Sequence, residues 1–403
     1  MKATPLLDRY THFAKSYLSF QSVSYLILYV TSRCNLRCNM CFYADSLNAP
    51  TGDGLTLAEM EKISKSLPNL MQLTLTGGEP FLRKDLDKII LFFYQNSGVR
   101  NFTIPTNGTY LEDTRRVLTE VLQKCPAATF KIGISLDGTK DLHNKIRGWS
   151  LSYDKLSATH AMLREMQKTY ENLIITMTGV VSSFNLQYAR DLVDLYFEKF
   201  PSDDYTLQLT RGIPKDLAAK EVEAKEFDKC VDYLEAKKSE YYRRVNLTKT
   251  MVRKISTRTR RIVSKVADTN EFQVNCVAGK RFAVLYDTGM LAPCEILHTM
   301  SIAPEIKKQY NNFYYGNIRE YDCDVQKAVD SELGTRIYSY IKETQCRCTF
   351  ECAIVASIFY QPGELVKTIA GVGLVKDTTT VGKAKTTRPA IPADTVIGSP
   401  SKV

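Results

Sequence analysis

The sequence predicts an α/β protein: a partial (β/α)6 barrel of the TIM type, followed by a small cysteine-rich α+β domain. Three observations predict it. Short apolar, strand-like runs alternate six times with stretches of helical period between residues 25 and 237, and that beat implies parallel strands with helices outside. Conspicuous motifs follow the strand-like runs, where such barrels carry their chemistry. From about residue 271 the texture changes to Tyr, Gly and Cys with few long helical patterns.

In chain order, residues 1–23 are expected to form a helical extension and 24–242 the barrel. Its strand-like runs lie at 25–30, 73–75, 101–104, 130–135, 173–177 and 206–209. The matching helical stretches lie at 57–67, 85–94, 111–122, 153–166, 186–197 and 222–237. Residues 243–270 form a basic connector, and its run from 243 to 265 carries Arg243, Arg244, Lys249, Arg253, Lys254, Arg258, Arg260, Arg261 and Lys265 with no acid. One reading is a solvated helix between domains. The other is a surface for an anionic lipid or an acidic substrate. No aromatic residues interleave to stack bases, so nucleic acid is not an expected partner. Residues 271–362 form the second domain, with a hairpin turning at Asp287-Thr288-Gly289. Residues 363–403 are rich in Thr, Lys and Pro and are expected to be a disordered tail.

The composition is compatible with this plan. An apolar content of 44% over 403 residues is ample for a large core and a smaller second one. No apolar run is long enough to span a membrane. The N-terminus lacks the apolar core and cleavage site of a signal peptide, so a cytoplasmic protein is expected, peripheral to the inner face of the membrane if the basic stretch binds lipid. Eleven cysteines in such a compartment argue for metal rather than disulfides.

After the first strand stand Cys34, Cys38 and Cys41, with no other cysteine before Cys125. This Cys-x3-Cys-x2-Cys spacing offers three thiolates to an iron–sulfur cube and leaves one iron open. A zinc site would want a fourth ligand nearby. After the second strand comes Thr76-Gly77-Gly78-Glu79-Pro80. Paired glycines let backbone approach a ligand, and the acid can accept bonds from an ammonium. Alone, the same segment would serve as a tight turn with a capping acid.

Together the two motifs resemble the radical S-adenosylmethionine (SAM) enzymes. The resemblance covers about residues 25–209 and implies that SAM chelates the open iron of a 4Fe-4S cluster. It implies that Gly77, Gly78 and Glu79 hold the methionine ammonium, with Met40 and Phe42 against the adenine. Thr106-Asn107-Gly108 resembles a family turn, although an ordinary Asn-Gly turn looks the same. Ser135, Asp137 and Arg147 match a region that contacts the ribose and carboxylate of SAM. His143 reads as a structuring residue rather than a proton shuttle.

Cys276 and Cys294 flank the hairpin, and Cys346, Cys348 and Cys352 follow in seven residues. This group resembles a SPASM/twitch extension, which carries auxiliary clusters, although the full seven-cysteine pattern is not met. It suffices for one auxiliary 4Fe-4S cluster, and a zinc knuckle is the plain alternative. Cys323 stands alone, and Cys125 and Cys230 read as core.

The resemblance implies reductive cleavage of SAM to a 5′-deoxyadenosyl radical, which abstracts a hydrogen from a substrate. The electron would come from a flavodoxin- or ferredoxin-type reductant. The alternative is a non-catalytic iron–sulfur electron-transfer or redox-sensing protein. Only about 24 residues precede the first strand, too few for a peptide-clamping domain, which favours a sugar, alcohol or lipid headgroup over a peptide.

Overall fold

The computed structural model describes residues 5–19, 22–49, 54–241 and 247–371. Six strands run parallel: β1 (Tyr25–Thr31), β2 (Gln72–Gly77), β3 (Asn101–Thr106), β4 (Thr129–Ser135), β5 (Leu173–Val181) and β6 (Asp204–Leu209). Helix α1 (Pro5–Leu18) precedes them. Between and after them come α2 (Leu57–Lys65), α3 (Leu86–Phe92), α4 (Leu111–Lys124), α5 (Lys140–Arg147), α6 (Ser152–Gln167), α7 (Ala189–Lys199) and α8 (Ala224–Tyr241).

Local pattern explains the elements. In β3 and β6 burial alternates: Phe102 and Ile104, and Tyr205, Leu207 and Leu209, are buried between half-buried polar neighbours. That is the period of a strand with one apolar and one polar face. β1 is buried at all seven positions, as a strand covered on both faces must be. α4 buries Thr114, Val117, Leu118, Val121 and Leu122, one stripe of a 3.6-residue period. Thr56 and Glu59 close a reciprocal cap at the start of α2.

The cysteine-rich region continues the same sheet. β7 (Phe282–Leu285) pairs in parallel with β1, Tyr25 opposite Phe282 and Leu28 opposite Leu285. A hairpin leads to β8 (Met290–Ala292), which pairs with β9 (Gly316–Asn317). Gly289, at φ 90°, closes the turn with its amide on the Tyr286 carbonyl at 2.9 Å. Among the described residues the strand order is β6–β5–β4–β3–β2–β1–β7–β8–β9. Parallel pairing with β1 sets this turn at the end of the sheet where the first cysteine loop leaves.

Two expectations are corrected. The basic connector is helix α9 (Leu247–Thr269), and its Arg258, Arg260 and Arg261 are paired with acids of the fold rather than offered to an anionic surface. Arg258 and Arg260 are only 7% and 3% exposed. Arg258 pairs with Glu364 and donates to the Thr368 hydroxyl at 2.5 Å. Arg260 pairs with Glu235, and Arg261 with Asp228 and Asp232. The answering acids lie on other helices, so charge counting along the run missed them. Arg243 and Arg244 lie outside the described residues. Among the described residues no helix is long and apolar enough to cross a membrane.

The expected tail begins too early. Residues 362–369 form a helix that supplies Glu364 and Thr368 to Arg258, while 372–403 lie outside the described residues. The remaining helices are α10 (Pro304–Gln309), α11 (Val325–Val329), α12 (Glu332–Glu343), α13 (Glu351–Phe359) and α14 (Pro362–Ile369).

Candidate active site

The loop after β1 carries Cys34, Cys38 and Cys41 and is pinned from three sides. At the end of β2, the Gly78 amide donates to the Thr31 carbonyl and the Glu79 amide to the Arg33 carbonyl, both at 2.8 Å. A Cβ on Gly77 (φ 139°) would lie 2.1 Å from the Thr31 oxygen, and one on Gly78 would lie 2.2 Å from the Arg33 oxygen. These glycines therefore let the second strand press against the cysteine loop. From α5, the Arg147 and Ile146 carbonyls accept the Arg37 and Asn39 amides at 3.3 and 3.1 Å. From the segment after β6, Lys215 and Asp216 donate to the Cys41 and Asn39 carbonyls at 3.0 and 2.9 Å.

All three thiols are free and half-buried. Burial, reinforced by neighbouring negative groups, pushes Cys34 up to about 11 and Cys41 up to about 12. Burial also raises Cys38, and Arg147 opposes it. Among the described residues no group of three or more His, Cys, Asp or Glu side chains is arranged around a single metal ion. A multi-iron cluster holds its thiolates further apart than one ion does, and its positive iron charge lets raised thiols ionise. The donor set fits a 4Fe-4S cluster with one iron free of protein thiolate.

The residues expected to hold SAM surround this loop. Glu79 is fully buried, and its carboxylate accepts from the Thr106 hydroxyl at 2.9 Å, the Asn107 amide at 2.8 Å and the Phe81 amide at 3.2 Å. Burial pushes it up to about 7 against the pull of those donors. Asn107 donates its side-chain amide to Asn35 at 3.0 Å, tying the β3 turn to the cysteine loop. Met40 is buried against Ile146 and Ala219. The Arg211 guanidinium lies 5.0 Å from the Phe42 ring centre. Ser135 ends β4 opposite Thr178 of β5.

Asp137 and Arg147 face each other rather than an open ligand site. The Asp137 carboxylate accepts from Arg147 Nε at 2.6 Å and from the Val180 amide at 2.9 Å. Arg147 Nη1 lies 3.7 Å from Cys38 Sγ. His143 structures the turn, as expected: its Nδ1 accepts the Asp137 amide at 3.2 Å and its Nε2 meets the Ser152 hydroxyl at 3.0 Å. Burial lowers it to about 3, which favours the neutral ring that both hydrogen bonds use.

The second cysteine group divides. Cys276, Cys294, Cys346 and Cys348 are free, and burial followed by mutual repulsion raises Cys346 and Cys348 well above an ordinary thiol. Cys276, Cys346 and Cys348 line one small cavity with Ile262, Val266 and Ile354. The Tyr315 hydroxyl, buried and influenced by Cys294 and Cys276, has no protein partner. An orphaned donor near Cys294 and Cys276 fits a cluster there. Cys352 stands apart: burial raises it to about 12, its leading charged neighbours are Arg211, Glu295 and Glu351, and it bonds to Tyr25. Cys323 lies near Glu59 and Lys62, away from both groups.

Between the two cysteine groups the structure builds a wall that the sequence did not announce. Arg211, two residues past β6, donates to Glu351 at 2.9 Å and to Glu295 at 3.2 Å. Its guanidinium also lies 4.8 Å from the Phe350 ring centre. Glu295 accepts from the Tyr29 hydroxyl at 2.8 Å, and Tyr43 donates to Asp287 at 3.2 Å. The available signals were position alone: Glu295 follows Cys294, Glu351 precedes Cys352, and Arg211 sits just past a barrel strand.

A thiol-bearing loop at the C-terminal end of a parallel strand sets the class: a partial α/β barrel whose donor set suits a metal cluster. Residues 28–195 match the Radical SAM superfamily model and carry a radical SAM domain. It is similar to GTP 3′,8-cyclase of Staphylococcus saprophyticus, 37% identical over 123 residues, covering 29% of this chain and 34% of the relative. The same enzyme from Pelotomaculum thermopropionicum is 32% identical over 120 residues, 29% of this chain and 35% of that one. The chain thus spans about a third of the length of these curated relatives. Its fold resembles Streptococcus suis SuiB bound to S-adenosylmethionine, with TM-score 0.56, 14% identity and coverage of 79% and 68% of the two chains. It also resembles anSMEcpe with bound AdoMet, with TM-score 0.56, 17% identity and coverage of 86% and 99%.

Proposed function

We propose that this radical SAM enzyme binds a 4Fe-4S cluster through Cys34, Cys38 and Cys41 and SAM at the iron they leave open. When bound, these groups supply hydrogen-atom abstraction from a carbon of the substrate. The chain's own part is to hold the parts in register and exclude water. Glu79 presents a buried carboxylate to the methionine ammonium, Met40 and Phe42 supply apolar contact, and Ser135 stands at the mouth of β4. Four thiolates, Cys276, Cys294, Cys346 and Cys348, hold a second cluster. A closed four-thiolate set suits electron transfer rather than substrate ligation, and the donor feeding the first cluster is a flavodoxin- or ferredoxin-type protein.

The substrate is assigned from this chain's residues, because the relatives differ: GTP in the cyclases' name, a precursor peptide for SuiB. The wall of Tyr29, Tyr43, Arg211, Glu295 and Glu351 is paired internally except at Arg211 Nε and Glu351 Oε1, which have no hydrogen-bond partner, and those two atoms favour a substrate that hydrogen-bonds, such as a sugar or a peptide. A lipid headgroup loses its support once the α9 arginines are paired internally. The observation that carries the reading is the docking of β2, α5 and the β6 segment onto one three-cysteine loop. Anaerobic incubation with SAM and dithionite tests it: 5′-deoxyadenosine should form, and its absence in iron-replete protein contradicts the proposal.

A further inference from the structure

The Asp137–Arg147 pair is not used by that reading, and its geometry is specific. Residues 146 and 147 grip Cys38 from both sides through the backbone, since their carbonyls accept the amides of Asn39 and Arg37. The Arg147 side chain then returns to the same residue, with Nη1 3.7 Å from Cys38 Sγ. Its Nε is spent on Asp137 at 2.6 Å, and the other Asp137 oxygen accepts the Val180 amide of β5. Arg147 is 8% exposed and Asp137 is 0% exposed, so water does not compete for either charge.

We propose that Arg147 is a positioning residue for the Cys38 thiolate: Asp137 aims its guanidinium so that one N–H bonds that sulfur, raising the reduction potential of the first cluster. Hydrogen bonds and charge at cluster sulfurs are what set such potentials, and the groups that orient the ligands do so from outside the ligand set. A planar guanidinium can serve Asp137 with Nε and the sulfur with Nη1 at once; a lysine ammonium cannot hold both directions in this fixed geometry. The proposal rests on the cluster assignment for Cys34, Cys38 and Cys41, and replaces the carboxylate-binding role that resemblance alone gives Arg147.

The test is a potentiometric titration of the reconstituted full chain without SAM, followed by EPR, with the first cluster identified as the signal that SAM perturbs. R147Q should move that signal to a more negative potential, while SAM affinity changes less than about threefold. If R147Q does not retain iron, R147K keeps the buried charge and is read instead; without the Nε anchor it should shift in the same direction by less. A parent-like potential in whichever variant retains the cluster, or a tenfold or greater loss of SAM affinity at unchanged potential, overturns the proposal. Failure of the underlying cluster assignment looks different, because the parent would then show no SAM-sensitive signal.

Discussion

Glu79 makes SAM binding pH-dependent in a way that can be worked from the structure. Burial holds its carboxyl at about 7 in the ligand-free chain, although the Asn107, Thr106 and Phe81 donors pull it down. An ammonium needs the carboxylate, so below pH 7 binding must first remove a proton. Each pH unit below that point then costs about 1.4 kcal/mol, a factor of about ten in affinity. Between pH 7.5 and pH 5.5 the affinity should fall about twenty-five-fold and level off above pH 7.5. Glu79→Gln should abolish the slope and weaken binding by about 1.5–3 kcal/mol at high pH, the worth of a charge-assisted bond. Equilibrium binding of SAM to anaerobically reconstituted protein across that range is the assay. A flat profile in the parent would refute the assignment. The same shift has a stability sign. The folded state holds this proton more tightly than the unfolded chain, so the group's contribution is lost as pH rises from about 4.5 to 7. That loss is about 3 kcal/mol at most, and E79Q should remove it from a pH series of urea midpoints.

Further outcomes follow from other sites. Gly78→Ala places a Cβ against the Arg33 carbonyl and should displace the cysteine loop, halving the iron content by colorimetric assay while leaving the second cluster. Cys348→Ala should remove that second cluster, about four irons, whereas Cys352→Ala should retain it; loss of iron in Cys352→Ala contradicts the division of the group. Arg260→Gln removes one partner of half-buried Glu235, which keeps the Thr257 hydroxyl, and should cost about 1–3 kcal/mol in chemical denaturation. Binding of the parent to acidic liposomes should stay at background, and salt-sensitive binding would revive the surface reading of α9.

Much of this was legible in the sequence because the signals were local. The six strands and their helices follow from periods of two and 3.6 within short windows, and three cysteines within eight residues announce themselves. Helix α5 was missed because its eight residues carry only Leu142 and Ile146 as apolar markers, too short a pattern to show a face. The arginines of α9 misled because Arg260 finds Glu235 across 25 residues and Arg258 finds Glu364 across 106. The Arg211 wall joins positions 84 and 140 residues apart. Nor could spacing separate Cys352 from Cys348: α13 begins at Glu351 and brings Cys352 to Tyr25.

The central claim is that the Cys34, Cys38 and Cys41 loop holds the cluster at which SAM is used. The direct measurement compares the parent with a Cys34→Ala, Cys38→Ala, Cys41→Ala variant under anaerobic conditions, recording iron content and 5′-deoxyadenosine formed from SAM with dithionite. The account predicts about eight irons and product in the parent, and about four irons and no product in the variant. A variant that makes 5′-deoxyadenosine at the parent rate contradicts it.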